Sequence, residues 1–376
     1  MTGPAHPATF PVPAFADQDL RFSRAFRILE DAVAAHAFPA ASLAVTHHGQ
    51  LVALRSLGHF AYDANSPQPS RDTLFDLSSV SKVVASTAMA MILYERGLLD
   101  LETRVVSILG EFSGEDPRRD EVTVRTLLAH SSGLPAYEKL FLRARTRDEL
   151  LAAAFAVPLV HEPGTRAEYS DIGFILLGAL LGRLADEAID RFCQREIFGP
   201  LGMTHTTFNP APRLRPSIPP TADDQTFRHR IIQGEVQDEN ASVLGGIAGH
   251  AGLFATAHDL AILAHVLLRG GSPILRPDTI ALFTRRQSSP EGTARALGWD
   301  TPSPPSLSGQ YFSPDSYGHL GYTGTSLWID PNRHLSVTLL TNRTWPDCQN
   351  QAIQKVRPRF HDAVIEALNL ERSQQA

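Results

Sequence analysis

Lysine is scarce in this sequence: Lys82, Lys139 and Lys355 are its three lysines among 34 basic residues. The other basic side chains are arginine, which stays protonated in proteins, whereas a desolvated lysine can lose its proton and act as a base. A retained lysine is therefore a candidate for a chemical role. Lys82 is the one lysine that follows a serine, Ser79, at a distance of three residues.

Cysteines and long apolar runs are also scarce. Cys193 and Cys348 fit no metal-binding spacing and no disulfide framework. The longest strongly apolar segment, 174–181, is far shorter than the roughly 20 residues of a membrane span. The net charge of -6 gives no reason to expect nucleic acid as a partner. Since residues 1–17 also lack the pattern of a secretory signal, we expect a soluble, cytoplasmic protein without a membrane span or a nucleic-acid partner.

Hydrophobic periodicity predicts strands at both ends of the chain. Residues 41–46 and 51–54 alternate around a glycine-containing turn, which predicts an antiparallel hairpin. Residues 326–329 and 335–341 predict a second hairpin around a Pro-Asn turn. Between them the spacing is mostly helical. The helices are predicted at 20–36, 79–96, 123–130, 147–155, 172–187, 188–198, 257–269, 277–285 and 350–369, the last bent or split by Pro358.

This order of elements predicts an α+β fold with two lobes. We expect one antiparallel sheet, built from the N- and C-terminal segments and flanked by helices, with a mostly helical lobe inserted in the middle. The corresponding residue ranges are 18–75 and 300–376 for the sheet lobe and 76–299 for the helical lobe. Residues 1–17, with their four prolines, are expected to form a loose extension.

Ser79 and Lys82 form a Ser-x-x-Lys pair at the start of a predicted helix. On a helix, residues three apart lie on one face, one turn apart. A serine becomes a nucleophile when a base lies beside it, and lysine can supply that base. Taken alone, such a serine is more often a helix cap. Two later motifs strengthen the catalytic interpretation of the pair. They are Tyr169-Ser170-Asp171 and His319-Leu320-Gly321.

In this order, the three motifs resemble those of the serine β-lactamase-like and penicillin-binding-protein-like hydrolases, on the branch of class C β-lactamases and related esterases. The resemblance covers about residues 20–370 and includes the segments LLAHSSGLP (127–135) and GGIAGHAGLF (245–254). It implies a β-lactamase/transpeptidase-like fold. It also implies a hydrolase that needs no metal or other cofactor.

The resemblance implies a role for each motif. Ser79 would attack a carbonyl carbon and become acylated, Lys82 would accept or steer its proton, and Tyr169 would act as the second acid/base. The backbone N–H groups of Ser79 and Tyr322 would bind the oxyanion. Gly321 would leave space for substrate along the strand edge.

The phenol of Tyr169 raises a separate question. Its reference pKa is about 10, so it is a base at neutral pH only where positive neighbours lower that value. Lys82 and His319 are the candidates for this. The rival reading is a buried tyrosine with a satisfied hydroxyl.

The sequence departs from the family pattern at two positions. Asp171 stands where Asn or Ser is usual. It caps the following helix, contacts Lys82, where it would favour the charged ammonium, or does both. Leu320 replaces a threonine that ordinarily helps to hold a substrate carboxylate. This change favours an uncharged ester over penicillin-like substrates. The segment Tyr322-Thr323-Gly324 remains a rival register for the third motif.

Three functions therefore remain open. The favoured one is a serine hydrolase that acts on a small ester or amide through an acyl-enzyme. The second is a β-lactamase or D-alanyl-D-alanine carboxypeptidase. The third is a non-catalytic protein that binds a ligand in the same pocket. The histidines at 130, 250 and 258 fit no zinc-ligand spacing, so no metal site is expected. The physiological substrate and the oligomeric state are not predicted.

Overall fold

The computed structural model describes residues 10–369. Its strands are β1 (Val12–Pro13), β2 (Ala40–His47), β3 (Gln50–Gly58), β4 (Phe75–Asp76), β5 (Thr207–Phe208), β6 (Pro220–Asp224), β7 (Arg230–Gln233), β8 (Leu253–Ala255), β9 (Tyr317–Leu320), β10 (Ser326–Asp330) and β11 (Leu335–Thr341).

The α-helices are α1 (Gln18–Arg21), α2 (Ser23–Ala34), α3 (Ala88–Glu95), α4 (Val105–Ile108), α5 (Val124–Leu128), α6 (Arg147–Phe155), α7 (Asp171–Ala185), α8 (Ile189–Cys193), α9 (Gly199–Leu201), α10 (Glu239–Val243), α11 (Ala257–Leu268), α12 (Pro277–Thr284) and α13 (Ile353–Ala367). A 3₁₀ turn at Ser78–Val80 and a π-helix at Lys82–Thr87 precede α3. Among the described residues, no helix is both long and apolar enough to cross a membrane.

The main sheet joins the two ends of the chain. Its strand order is β1-β3-β2-β11-β10-β9, and every pairing is antiparallel except that of β1 with β3. The N-terminal hairpin thus pairs with the C-terminal one through β2 and β11. The fold class predicted from the sequence is confirmed, as are both hairpins.

Alternation along these strands divides their side chains between two cores. Leu43, Val337 and Leu339 face a core shared with α2 and α13. Leu327 and Leu340 face the larger core that continues into the helical part of the chain through α11. Each such side chain stabilises the fold by about 1.5–3 kcal/mol when it leaves water. The alternation of side chains that predicted the strands thus gives the sheet two apolar faces, and helices pack on both of them.

Some elements differ from the sequence-based predictions. Val12–Pro13 pairs with Gln50–Leu51, so this part of the expected loose extension forms the sheet edge, while residues 1–9 lie outside the described residues. Pro358 lies inside a helix that runs unbroken from Ile353 to Ala367. The two-lobe division stays a prediction. The helix α11, which falls in the range predicted for the helical lobe, packs on β2 and β11.

Candidate active site

The segment from Asp76 to Lys82 contains the Ser-x-x-Lys motif and places its lysine in the protein interior. Strand β4 pairs with β8 and ends at Asp76, and the chain then turns through Ser78, whose φ of 49° lies in the left-handed region. The carboxylate of Asp76 accepts the Ser78 N–H at 2.8 Å and the Gln237 N–H at 2.7 Å. Burial nonetheless raises the pKa of Asp76 to about 6. These contacts hold Ser79 at the start of the helical run.

Ser79 and Lys82 are brought together as their spacing predicts. The Nζ of Lys82 lies 3.0 Å from the Oγ of Ser79. The lysine side chain is fully buried, and its Nζ also donates to Oδ1 of Asp171 at 2.6 Å and to the carbonyl of His250 at 2.8 Å. An ammonium has three donors, and each has an acceptor here. Burial lowers the pKa of Lys82, and the Asp171 carboxylate opposes that lowering.

Tyr169 joins the same cluster from 90 residues along the chain. Its Oη lies 2.6 Å from the Oγ of Ser79 and donates to Oδ1 of Asp171 at 2.9 Å. Because the single phenolic proton goes to Asp171, the Ser79 hydroxyl is the donor to Tyr169. The result is a directed chain from Ser79 through Tyr169 to Asp171.

The pKa of Tyr169 shifts in the direction opposite to the one expected. Burial and the Asp171 carboxylate raise this pKa well above its ordinary value. The hydrogen bond with Ser79 lowers it by less, and so does Arg295, whose guanidinium lies 5.6 Å from the ring centroid. Lys82 and His319, the candidates for lowering this pKa, do not bring it below its ordinary value. His319 is itself buried, and burial keeps its pKa well below the ordinary histidine value. The phenol is therefore neutral in the free protein.

Asp171 and Ser170 divide the two roles that the sequence left open for Asp171. Ser170 is the N-cap of α7, where its Oγ accepts the Gly173 N–H at 3.0 Å. Asp171 is the first residue of the helix, and its carboxylate contacts Lys82 and Tyr169 instead. The N–H of Ser170 in turn donates to Nδ1 of His130 at 3.0 Å.

The third motif lies along the edge strand β9 and the turn that follows. His319 donates from Nδ1 to the Leu320 carbonyl, and its ring centroid lies 6.1 Å from that of Tyr169. His319, Leu320, Gly321 and Tyr322 line the cavity beside Ser79. Thr323 is fully buried and donates to the Asp76 carbonyl at 2.8 Å. This geometry favours the register His319-Leu320-Gly321 over its rival.

Gly321 is explained by contacts within the chain. A Cβ at this position would lie 2.5 Å from the Leu77 carbonyl oxygen and closer still to the Thr325 hydroxyl. Real Cβ atoms do not approach other atoms this closely, so the turn must carry glycine to reach the segment before Ser79. Close packing within the chain thus requires glycine at this position, and the residue also lines the cavity. The space for substrate expected there stays a prediction.

The glycine-rich segment 245–252 contributes His250 and Ala251 to the cavity lining. Gly246 and Gly252 have φ values of 78° and 112°, as expected for a tight loop. Gly249 serves close packing instead, because a Cβ there would lie 2.2 Å from the Phe174 carbonyl oxygen. This packing sets the position of the His250 carbonyl that accepts from Lys82. His250 is held in turn by Oδ1 of Asp238, 2.8 Å from its Nε2.

These elements surround a cavity of about 690 Å³. Six of the seven site residues predicted from the sequence line this cavity: Ser79, Tyr169, Asp171, His319, Gly321 and Tyr322. The seventh, Lys82, is fully buried beside them. Arg295, Arg343 and Arg357 also line the cavity and were not predicted. Nothing in their sequence surroundings sets these arginines apart from the others, since they enter the cavity through the packing of distant segments.

The chain is similar to known proteins over most of its length. The family model described as Beta-lactamase matches residues 25–355. A protein of Salmonella agona (strain SL483) described as "Putative D-alanyl-D-alanine carboxypeptidase" is 31% identical over 346 residues, which cover 81% of this chain and 79% of the relative.

Two solved structures show the same fold. EstCE1, a hydrolase with promiscuous acyltransferase activity, superposes with a TM-score of 0.76 at 21% identity, covering 93% of this chain and 100% of the other. A penicillin-binding protein homolog from Caulobacter crescentus gives a TM-score of 0.73 at 20% identity, covering 94% and 98%.

Proposed function

The chain belongs to the β-lactamase family of serine hydrolases, and we propose that it hydrolyses a small ester or amide through an acyl-enzyme formed on Ser79. One observation carries the proposal: the Oγ of Ser79 lies within hydrogen-bond distance of both Lys82 Nζ and Tyr169 Oη. A nucleophile with a charged donor on one side and a proton acceptor on the other is poised for attack.

In this proposal Lys82 is an electrostatic anchor. Its buried ammonium donates to the Ser79 oxygen and stabilises the negative charge that develops there during attack. Asp171 provides the counterion and opposes the lowering of the Lys82 pKa that burial causes. The carboxylate that replaces the usual Asn or Ser thus fits the role that the sequence suggested for it.

Proton transfer would follow the directed chain. As the Ser79 oxygen bonds to the carbonyl carbon, its proton passes to Tyr169, and the tyrosine's own proton passes to Asp171. When the leaving group departs, Tyr169 gives it a proton and Asp171 returns its proton to Tyr169. Water then repeats the sequence on the acyl-enzyme. A neutral tyrosine with a raised pKa is suited to such a relay, because it never has to rest as a phenolate.

The alternative substrate class, a peptide that ends in a carboxylate, is favoured by one structural observation. Arg343 and Arg357 are buried and line the cavity, and neither forms an ion pair with a described carboxylate. Arg357 donates from Nη2 to the Thr325 carbonyl at 3.2 Å, while its Nε has no acceptor among the described residues. Burial and Arg343 lower the pKa of Arg357 to about 9, so it remains cationic at neutral pH.

A buried cation without a counterion is costly unless a ligand supplies the charge. These arginines could therefore replace the threonine hydroxyl that Leu320 removes. The description of the Salmonella relative as a "Putative D-alanyl-D-alanine carboxypeptidase" points to the same activity. The cytoplasmic location predicted from the sequence favours the ester instead, and it stays a prediction.

The two substrate classes can be separated by one comparison. The specificity constant kcat/KM is measured for p-nitrophenyl butyrate and for an N-acylated D-alanyl-D-alanine peptide, with wild-type protein and Arg357→Gln. Arg359→Gln, an exposed position two residues later on α13, is the matched control. If the ester is the substrate class, Arg357→Gln leaves ester hydrolysis within a few-fold of wild type and the peptide stays uncleaved. Cleavage of the peptide that Arg357→Gln alone abolishes establishes the carboxypeptidase. Hydrolysis of neither compound class contradicts the proposed function.

A further inference from the structure

The hydroxyl of Ser78, the residue before the candidate nucleophile, is hydrogen-bonded to a backbone N–H group that was expected to bind the oxyanion. Ser78 lines the cavity beside Ser79. The N–H of Tyr322, one of the two backbone donors expected to bind the oxyanion, donates to the Oγ of Ser78 at 3.1 Å. In the free protein this backbone donor is therefore already used.

The position of Ser78 is fixed from both sides. Its backbone adopts a left-handed φ of 49°, a conformation that costs a non-glycine residue roughly 1–2 kcal/mol. The Asp76 carboxylate compensates by accepting the Ser78 N–H at 2.8 Å. On the other side, the hydroxyls of Thr323 and Thr325 donate to the carbonyls of Asp76 and Leu77, both at 2.8 Å. These contacts bind the third-motif turn to the nucleophile segment.

The hydroxyl proton of Ser78 remains available. Oγ is the acceptor in the bond from Tyr322, so its own O–H can donate elsewhere. Within residues 10–369, that O–H donates no hydrogen bond, and the Ser79 N–H likewise makes no backbone hydrogen bond. Ser78 is 6% exposed, and the cavity is the solvent space that it borders. Two unused donors on adjacent residues therefore border the space beside the Ser79 oxygen.

We infer that the Ser78 hydroxyl donates a hydrogen bond to the oxyanion of the tetrahedral intermediate, together with the Ser79 N–H. This inference rests on the proposed acyl-enzyme function. The Tyr322 N–H acts indirectly, because its bond to Oγ polarises the Ser78 O–H and makes it a stronger donor. Ser78 keeps its proton throughout, so no covalent bond to Ser78 forms or breaks. A serine at this position thus becomes a catalytic residue.

The structure offers a matched control in the same segment. The Oγ of Ser81 accepts the Leu253 N–H at 3.1 Å, the same kind of bond as the one between Ser78 and Tyr322. Ser81 is also buried, but it does not line the cavity. A purely structural hydroxyl would behave alike at both positions.

The test compares full-length Ser78→Gly, Ser78→Ala and Ser81→Ala with wild type. Glycine tolerates the left-handed backbone, so Ser78→Gly removes the hydroxyl without adding strain. For p-nitrophenyl butyrate we expect kcat to fall about 10²-fold in Ser78→Gly, as for loss of one oxyanion donor, with KM within about twofold. The inhibition constant of phenylboronic acid, which forms a tetrahedral adduct on serine, should weaken by the same factor as kcat/KM. Ser81→Ala should lower the melting temperature and leave kcat within about threefold.

The inference is overturned if Ser78→Gly keeps or raises kcat, because the freed Tyr322 N–H would then suffice. It is also overturned if kcat falls while boronate binding is unchanged. Either result, obtained with an active wild type whose Ser79 is acylated, leaves the proposed function standing. If the wild-type protein is not acylated at Ser79, the proposed function itself is contradicted.

Discussion

Lys82 and Asp171 form a buried ion pair beneath the cavity, with Nζ of the lysine 2.6 Å from Oδ1 of the aspartate. The lysine side chain is fully buried and that of Asp171 is 16% exposed. The same Oδ1 accepts the proton of Tyr169 at 2.9 Å. One carboxylate oxygen thus serves both the cation that anchors Ser79 and the phenol that receives its proton.

Asp171→Asn should impair both functions of this carboxylate. The amide has the same shape but neither balances the charge of Lys82 nor accepts a proton from Tyr169. We expect unfolding to require about 3–5 kcal/mol less free energy, as for other broken buried pairs, and kcat to fall by at least about 10²-fold. Urea unfolding and ester hydrolysis measure the two effects, with the exposed Asp148→Asn in the first turn of α6 as control. Wild-type turnover in Asp171→Asn would remove Asp171 from the proton path.

Lys82→Arg should be nearly as damaging as Lys82→Ala. Three acceptors surround Nζ at 2.6–3.0 Å, and the fully buried site has no room for a planar guanidinium. We expect ester hydrolysis by both variants to fall by at least about 10²-fold. Lys355→Arg, at an exposed position, should hydrolyse the ester at the wild-type rate. Full activity of Lys82→Arg would show that a positive charge is sufficient there.

Tyr169→Phe should lower kcat by roughly 10²–10⁴-fold, because the phenol is the group that receives the Ser79 proton. Tyr94→Phe, a half-buried position on α3, is the control and should retain activity. Near-normal turnover of Tyr169→Phe would exclude the tyrosine from the mechanism.

The raised pKa of Tyr169 gives a separate, spectroscopic prediction. Burial and Asp171 keep the phenol protonated, so no ionisation assigned to this residue should occur below about pH 10. The absorbance at 295 nm, titrated in wild type and Tyr169→Phe, should therefore be the same in both proteins up to that pH. A step near pH 7–9 that only wild type shows would mean that Tyr169 rests as a phenolate.

His361 predicts a loss of stability in acid. It is fully buried, its Nδ1 donates to the Ser308 carbonyl, and burial together with Arg357 lowers its pKa from 6.5 to about 3. Between these two values the unfolded chain binds a proton that the folded chain does not. This stabilising contribution is therefore complete above pH 6.5 and falls by on the order of 4 kcal/mol as the pH approaches 3.

Urea unfolding at pH 7.5, 6 and 5 measures this effect. His361→Asn should be less stable than wild type at pH 7.5 but should lose less stability on acidification. The exposed His205→Asn is the control and should follow wild type. Parallel pH dependence of His361→Asn and wild type would contradict the account of His361.

The parts of the structure that could be predicted from the sequence are those fixed by local geometry. The spacing of Ser79 and Lys82 sets their contact, because residues three apart share a helix face. Alternation predicted both hairpins. The two- and three-residue strands β4, β5 and β8 were missed, since such short segments have no measurable period.

The remaining site features depend on approaches between distant segments. Tyr169 and Asp171 could be placed beside Ser79 only through the family resemblance, since some 90 residues separate them from it. The sequence contains no signal for the His250 carbonyl on Lys82 or for the Ser78 hydroxyl on the Tyr322 N–H. The direction of the Tyr169 pKa shift was also beyond sequence reasoning, because it depends on the depth of burial.

The most direct test of the acyl-enzyme is covalent labelling of the intact protein with a fluorophosphonate, followed by peptide mass spectrometry. We predict one modified residue, Ser79, and no labelling of folded Ser79→Ala. A folded wild-type protein that stays unlabelled, or a label that persists in Ser79→Ala, would contradict the account and favour a non-catalytic binding protein.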